Sequence, residues 1–253
     1  MNITFDKTDT EQLTYIIGDK CLKNITNDTA LLLFSRTAVS EAVHKNFLAK
    51  KSKTLNLTIS KKLITRTTAI AKQSQLPFFV ISDLQQSGNN FGERLANAIQ
   101  NIFDKGFQKL IVIGNDCPGL TSATILHATQ KLKTHDIVAG PTIKGGLYLI
   151  GLNKAAFNPD DFKNLHWQTA NVYNEFLSLE INHSFSALPL LDDVNSHQDI
   201  LKQVRSSSFH WFTRFLRSAL ASIHSSLAAI SSFFYNSTAL LFTGLRAPPY
   251  HIA

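Results

Sequence analysis

Five short apolar runs punctuate the first two thirds of the chain: 29–35 (TALLLFS), 77–82 (PFFVIS), 109–114 (KLIVIG), 136–140 (DIVAG) and 146–151 (GLYLIG). None of them alternates between apolar and polar positions. Continuous runs of this length suit strands covered on both faces, as in a parallel sheet. Between them lie stretches with helical spacing: 59–74, 92–103 through Leu95, Ile99 and Phe103, and 121–132 through Ile125 and Leu132. Thr121 supplies a hydroxyl suited to capping the last of these helices. The alternation predicts βαβ units. The runs 136–140 and 146–151 are too close in sequence for a helical crossover, so the sheet is expected to be mixed. A further short strand is expected at 186–190, and no internal repeat is visible.

The pattern changes after about residue 203. Phe212, Leu216, Ala219, Ile223, Leu227, Ile230 and Phe234 recur at three- and four-residue spacing, with Arg214, Arg217, Ala221, His224 and Ser225 on the other face. This predicts an amphipathic helix. No Lys, Arg, Asp or Glu occurs from Ser218 to Leu245, a length that could span a bilayer. The serines, His224 and Asn236 argue against a span, so a packed or partner-binding helix ranks first and an interfacial helix second. The expected organisation is an α/β domain over 1–203, with its core from about 29, and a basic amphipathic helical tail over 204–253.

Composition adjusts this picture in two ways. The net charge of +7 is uneven: Lys202, Arg205, Arg214, Arg217 and Arg246 lie beyond Leu201, where there is no acid. A basic tail on a nearly balanced domain suggests a peripheral membrane or partner-helix contact rather than nucleic acid, for which no motif is present. The two cysteines, Cys21 and Cys117, fit neither a disulfide framework nor a zinc spacing. The first residues show neither a basic region nor an apolar one of signal type. A cytoplasmic location, with membrane association through the tail, is the expectation.

Ligands of open α/β sheets sit at the carboxyl ends of the strands. Four features lie there. Asp116 follows the run 109–114 and could hold Mg²⁺, or simply cap the next turn. The segment 140–151 carries Lys144 and the pair Gly145–Gly146, which suits close backbone approach to a ligand or a tight turn. Arg94 sits on the first turn of a helix, where it could meet a phosphate or pair with Glu93. Asp193 follows the last short strand and is either a second metal ligand or a helix cap. Cys117 is a poor nucleophile beside an acid, and Trp167 and Tyr148 read as packing residues.

Taken in order, these motifs resemble a bacterial family of GT-A-type glycosyltransferase-like proteins of unknown function, DUF 2064, often described as radical-SAM/selenodomain-associated transferases. The likeness runs from about Ala30 to Leu201. It rests on Leu-Leu-Phe-Ser-Arg at 32–36, Gly-Glu-Arg-Leu at 92–95 and Ile-Gly-Asn-Asp-Cys-Pro at 113–118. It continues through Gly-Gly-Leu-Tyr-Leu-Ile-Gly-Leu at 145–152, Trp167 with Thr169, and Asp193-Val194-Asn195. The resemblance implies an α/β, Rossmann-like GT-A three-layer sandwich with a mostly parallel mixed sheet. It also implies a nucleotide-activated sugar or similar donor, bound through Mg²⁺ or Mn²⁺. Asp116 and Asp193 would hold the cation, and Arg36, Lys45, Arg94, Lys144, Gly145 and Gly146 would contact nucleotide or phosphate.

The departures are equally informative. Where the family carries a Pro-Gly-x-x-Lys-Thr-Arg phosphate loop, this chain has Val39 to Asn46, with Glu41 at the glycine position and His44 and Asn46 at the Lys and Arg positions. A carboxylate beside a diphosphate is repulsive. Lys45 would replace the lysine by a shift of one residue. Family acids are replaced by Asn90, Lys144 and Asn195. Two readings stand: a glycosyl- or nucleotidyltransferase-like enzyme, or a catalytically degraded binding or scaffold module that docks through its tail.

Overall fold

A computed structural model of the chain describes residues 28–45, 47–48, 52–178, 183–206 and 210–221. The chain divides into two compact units, Met1–Asp199 and Ile200–Ala253. In the first, six strands form one sheet: β1 (Thr29–Phe34), β2 (Phe78–Ile81), β3 (Lys109–Ile113), β4 (Ile137–Pro141), β5 (Leu147–Asn153) and β6 (Phe185–Ala187). Their order is β2-β1-β3-β5-β4-β6. Strand β1 is parallel to β2 and β3, and β4 is parallel to β6. Only β5 runs the other way, between β3 and β4. The mixed, mostly parallel sheet expected from the short 136–151 connection is therefore present.

The continuous apolar runs become doubly covered strands. In β1 every residue is buried. Ala30, Leu32 and Phe34 pack on one face with helix α3 (Phe91–Asp104), and with Phe162 and Phe176 of α5 (Pro159–Asn164) and α6 (Val172–Leu177). Leu31 and Leu33 pack on the other face with Ile70 of α2 (Lys53–Gln73) and with Ile125 and Ala128 of α4 (Ser122–Lys131). Two helical layers thus enclose the sheet, as a three-layer α/β sandwich requires.

Several helix starts follow from local capping. The side chains of Ser52, Asn90 and Thr121 each accept from a backbone amide three residues on, opening α2, α3 and α4. Helix α2 begins earlier than the 59–74 periodicity predicts. The segment after β1, which the resemblance led us to expect as a loop, is instead helix α1 (Ala38–His44), capped by Thr37. The expected strand at 186–190 is shorter, but its backbone continues along β4. Leu188 donates to Ala139 O at 2.8 Å and Leu191 to Pro141 O at 3.2 Å. That run carries the chain to the carboxyl edge of the sheet, where helix α7 (His197–Arg205) begins.

In the second unit, residues 211–221 are helical, and Phe212 and Leu216 are buried. The rest of the predicted amphipathic stretch lies outside the described residues. Among the described residues no helix is long and apolar enough to cross a membrane. Cys21 also lies outside them.

Candidate active site

The carboxyl ends of β1, β2, β3 and β4, together with the start of β5, meet at one edge of the sheet. There they open a cavity of about 850 Å³. The chain leaves β1 towards β2 on one side and returns to β3 on the other, so the β1–β3 junction is the switch point where open α/β sheets hold ligands. Asp116 and Asp193 both line this cavity. Their loops are joined directly, because Val194 N donates to Asp116 O at 2.8 Å.

Burial raises the pKa of Asp193, and the charge of Asp116 raises it further. Asp193 is only 8% exposed. Its Oδ2 accepts from the side-chain amide of Asn195, whereas Oδ1 is buried without a hydrogen bond. Lys144 Nζ stands 3.5 Å from that Oδ1, close enough for attraction only, and is hydrogen bonded to the Asp193 carbonyl at 3.0 Å and to Asp199 Oδ2 at 2.7 Å. Asp193 does not cap α7. That role falls to Ser196, whose Oγ accepts from the Asp199 amide at 3.3 Å, while Asp199 Oδ2 accepts in return from the amides of Asn195 at 2.9 Å and Ser196 at 2.8 Å.

Helix α1 presents a second set of charges. Glu41, at 2% exposure, lies one turn before Lys45, whose ammonium is 3.0 Å from both Glu41 Oε1 and Asp116 Oδ2. Arg36 Nη1 reaches Glu41 Oε2 at 3.5 Å, and Asn115 Nδ2 donates to Glu41 Oε1 at 3.4 Å. Burial works against the charge on Lys45, but Asp116 and Glu41 outweigh it and its pKa is raised. Glu41 thus stands in the cavity wall as a buried counter-ion to Lys45 and Arg36. Desolvation of such a carboxylate is tolerated only because several donors surround it.

Arg94 lines the same cavity from the first turn of α3, and its guanidinium makes no hydrogen bond or ion pair with the described residues. The pairing with Glu93 weighed from sequence does not form, because Glu93 turns back to the Asn89 amide at 2.7 Å. Gly146 lines the cavity, but Gly145 does not. Gly145 has φ +81° and passes so close to Ala170 that an added Cβ would lie 1.8 Å from the Ala170 carbonyl oxygen. Its amide and carbonyl are used by Thr142 and Tyr173. Its role is to dock the 167–173 segment against the turn.

Trp167 forms part of the cavity wall while packing on Phe91, with ring centres 5.4 Å apart. Tyr148 is buried and donates to the Pro189 carbonyl at 3.0 Å. Both pack, as the sequence suggests. Cys117 is buried, which pushes its thiol well above the usual range, with Asp116 and Asp193 adding to the effect. Glu41, Asn115, Asp83 and Asp199 are the polar members of the site or its support that sequence reasoning did not assign a constructive role. The pattern Ser196-x-x-Asp199 ahead of Ile200 was the available signal for one of them.

Do these residues suit a divalent cation? Arg36, Lys45, Arg94 and Lys144 face Glu41, Asp83, Asp116 and Asp193 in the cavity wall, four charges of each sign that cancel. A diphosphate entering such a wall needs added positive charge. The buried Asp193 Oδ1 without a hydrogen bond, beside Asp116, is where that charge is short. Among the described residues no group of three or more His, Cys, Asp or Glu could hold an ion. Two carboxylates suffice for Mg²⁺, which usually keeps several waters and takes further oxygens from phosphate. The donor set fits.

The comparisons agree with this architecture. The family described as uncharacterized protein conserved in bacteria (DUF2064) matches residues 54–169. A search of curated proteins finds no match. Among solved structures, a "putative nucleotide-diphospho-sugar transferase" from Desulfovibrio desulfuricans G20 is 21% identical, covers 79% of this chain and 98% of its own, and superposes with a TM-score of 0.65. A mannosyltransferase from Pyrobaculum calidifontis, solved with GDP-Man and Mn²⁺, is 9% identical over 84% of this chain and 80% of its own, with a TM-score of 0.37. Residues 54–169 thus match the DUF2064 family, and the α/β fold is similar to that of the Desulfovibrio desulfuricans G20 structure.

Proposed function

We propose that the protein is a glycosyltransferase- or nucleotidyltransferase-like enzyme that takes a nucleotide-activated donor, a nucleotide sugar or similar compound, into the cavity at the carboxyl edge of its sheet. The observation that carries this reading is the meeting of Asp116, Asp193 and Arg94, whose guanidinium has no partner among the described residues, in one cavity wall. Asp116 and Asp193 would hold a divalent cation, Mg²⁺ or Mn²⁺. When bound, such a cation offsets the negative charge that grows on a departing diphosphate.

The chain's own residues divide the remaining work. Arg94 offers a planar, permanently charged donor fork to phosphate oxygens. Gly146 lets an anionic group approach the backbone at the start of β5. Phe91 and Trp167 supply an apolar wall that excludes water from one side of the cavity. Lys144 fixes Asp193 by holding its carbonyl while tied to Asp199, which makes it a positioning residue instead of a phosphate ligand.

One observation favours a second reading, a fold that binds ligand without turnover. Three of the four cations of the cavity wall, Arg36, Lys45 and Lys144, are already engaged by carboxylates. Titration with nucleoside diphosphates, with and without Mg²⁺ or Mn²⁺, tests both readings. The proposal expects metal-dependent binding that Asp116→Ala abolishes, and hydrolysis or transfer from a nucleotide sugar. Binding without any turnover favours the second reading. No binding of any nucleotide at millimolar concentration overturns both.

A further inference from the structure

We propose that Lys45 and the divalent cation compete for the carboxylate of Asp116, so that the cation binds tightly only when a diphosphate takes over the ammonium group. The inference rests on the ligand class proposed above and adds a coupling between its two components.

The geometry is specific to Lys45. Its ammonium lies 3.0 Å from Asp116 Oδ2 and 3.0 Å from Glu41 Oε1, with the side chain only 11% exposed. A cation drawn to Asp116 would come close to this ammonium, and like charges at such range repel strongly where water is scarce. Lys144 is not an equivalent competitor. Its hydrogen bonds go to the Asp193 carbonyl and to Asp199, and it meets Asp193 Oδ1 only as a looser ion pair at 3.5 Å, against 3.0 Å for Lys45 and Asp116.

Lys45 can leave Asp116 at little cost because Glu41 stays behind as its partner. Glu41 is anchored by Arg36 and Asn115 and lies one turn earlier on the same helix. The ammonium is a compact charge on a flexible stem, so it can turn from one carboxylate to an incoming phosphate while keeping the other. Lys45 already lines the cavity together with Arg94. A diphosphate thus receives two cationic groups, and Asp116 is freed to meet the metal. Each ligand improves the site for the other, and by linkage the gain is reciprocal.

The test is binding of Mn²⁺ alone to the full chain, read by electron paramagnetic resonance. Lys45→Met is expected to bind Mn²⁺ about tenfold more tightly than the wild type, an ordinary size for such a coupling. Adding Asp116→Asn is expected to remove the gain. Because Lys45→Met leaves Glu41 buried with fewer donors, the double variant Glu41→Gln/Lys45→Met, which removes both charges, carries the same expectation. A folded variant that binds Mn²⁺ no more tightly than the wild type overturns the competition. A tightened Mn²⁺ site in a protein that binds no nucleoside diphosphate upholds the competition and sinks the functional reading instead. Nucleotide binding with no Mn²⁺ gain does the reverse.

Discussion

The amide of Val194 donates to the carbonyl oxygen of Asp116 at 2.8 Å, and this single bond fastens the loop after β3 to the loop after β6. Two acids far apart in the chain become neighbours because each follows a strand that ends at the same edge. Burial, and after it the charge of Asp116, raise the pKa of Asp193.

Asp193→Asn should separate ligand binding from stability. Burial raises the Asp193 pKa, so the folded protein binds a proton more readily than the unfolded chain. Stability attached to this group is therefore full below the unfolded value and is lost as pH rises through the raised folded value. At neutral pH the variant should unfold at the same urea concentration as the wild type or a higher one, while losing metal-dependent nucleotide binding. A clear loss of stability would count against a buried charge held for function.

Arg94→Ala should behave differently. The guanidinium has no partner among the described residues, so its removal should change stability by less than about 0.5 kcal/mol. Diphosphate affinity should fall about 10- to 100-fold, the worth of a charge-assisted hydrogen bond. Calorimetric titration beside a denaturation curve checks both halves.

Gly145→Ala tests the turn before β5. The glycine has φ +81°, and a Cβ would meet the Ala170 carbonyl at 1.8 Å. We expect a loss of about 3 kcal/mol in stability, because backbone strain and a backbone clash act together. Gly146→Ala, where the nearest atom to a Cβ is the Thr142 hydroxyl at 3.1 Å, should cost much less. Equal costs in the two variants would contradict the role given to Gly145.

Asp199 predicts an acid-range signature of opposite sign to that of Asp193. Burial pushes its pKa up, but Lys144, the Asn195 amide and the Ser196 hydroxyl outweigh it, and the net shift is downward. Its contribution is present above the unfolded value near 3.8 and is lost as pH falls through the lower folded value. Asp199→Ala should cost about 1–2 kcal/mol at pH 7, in the range of a lost helix cap. The difference from wild type should shrink below pH 3.8.

Much of the architecture was readable because parallel strands need apolar residues on both faces, and few other elements leave such short unbroken runs. Thr121 announced α4 by chemistry that acts within one turn. Helix α1 was obscured because the resemblance pointed to a phosphate loop, although Thr37, Glu41 and Lys45 carry a cap and a one-turn ion pair. The role of Glu41 was not readable at all. Its burial depends on Arg36, Lys45 and Asn115, which come from three different elements, and a lone acid gives no hint of such company. Gly145 looked like a ligand-facing residue because the sequence shows a glycine pair but not the carbonyl of Ala170 behind it.

Strand β6 spans only Phe185–Ala187 and forms the outer margin of the sheet beyond β4. Margins of this kind fray before interior strands do. A molecule engaging Asp116 and Asp193 together would act as a fastener across this seam, so part of its binding energy would appear as slower amide exchange over residues 185–194. Occupancy of the cavity would then be reported by the quietness of a strand that never touches the ligand.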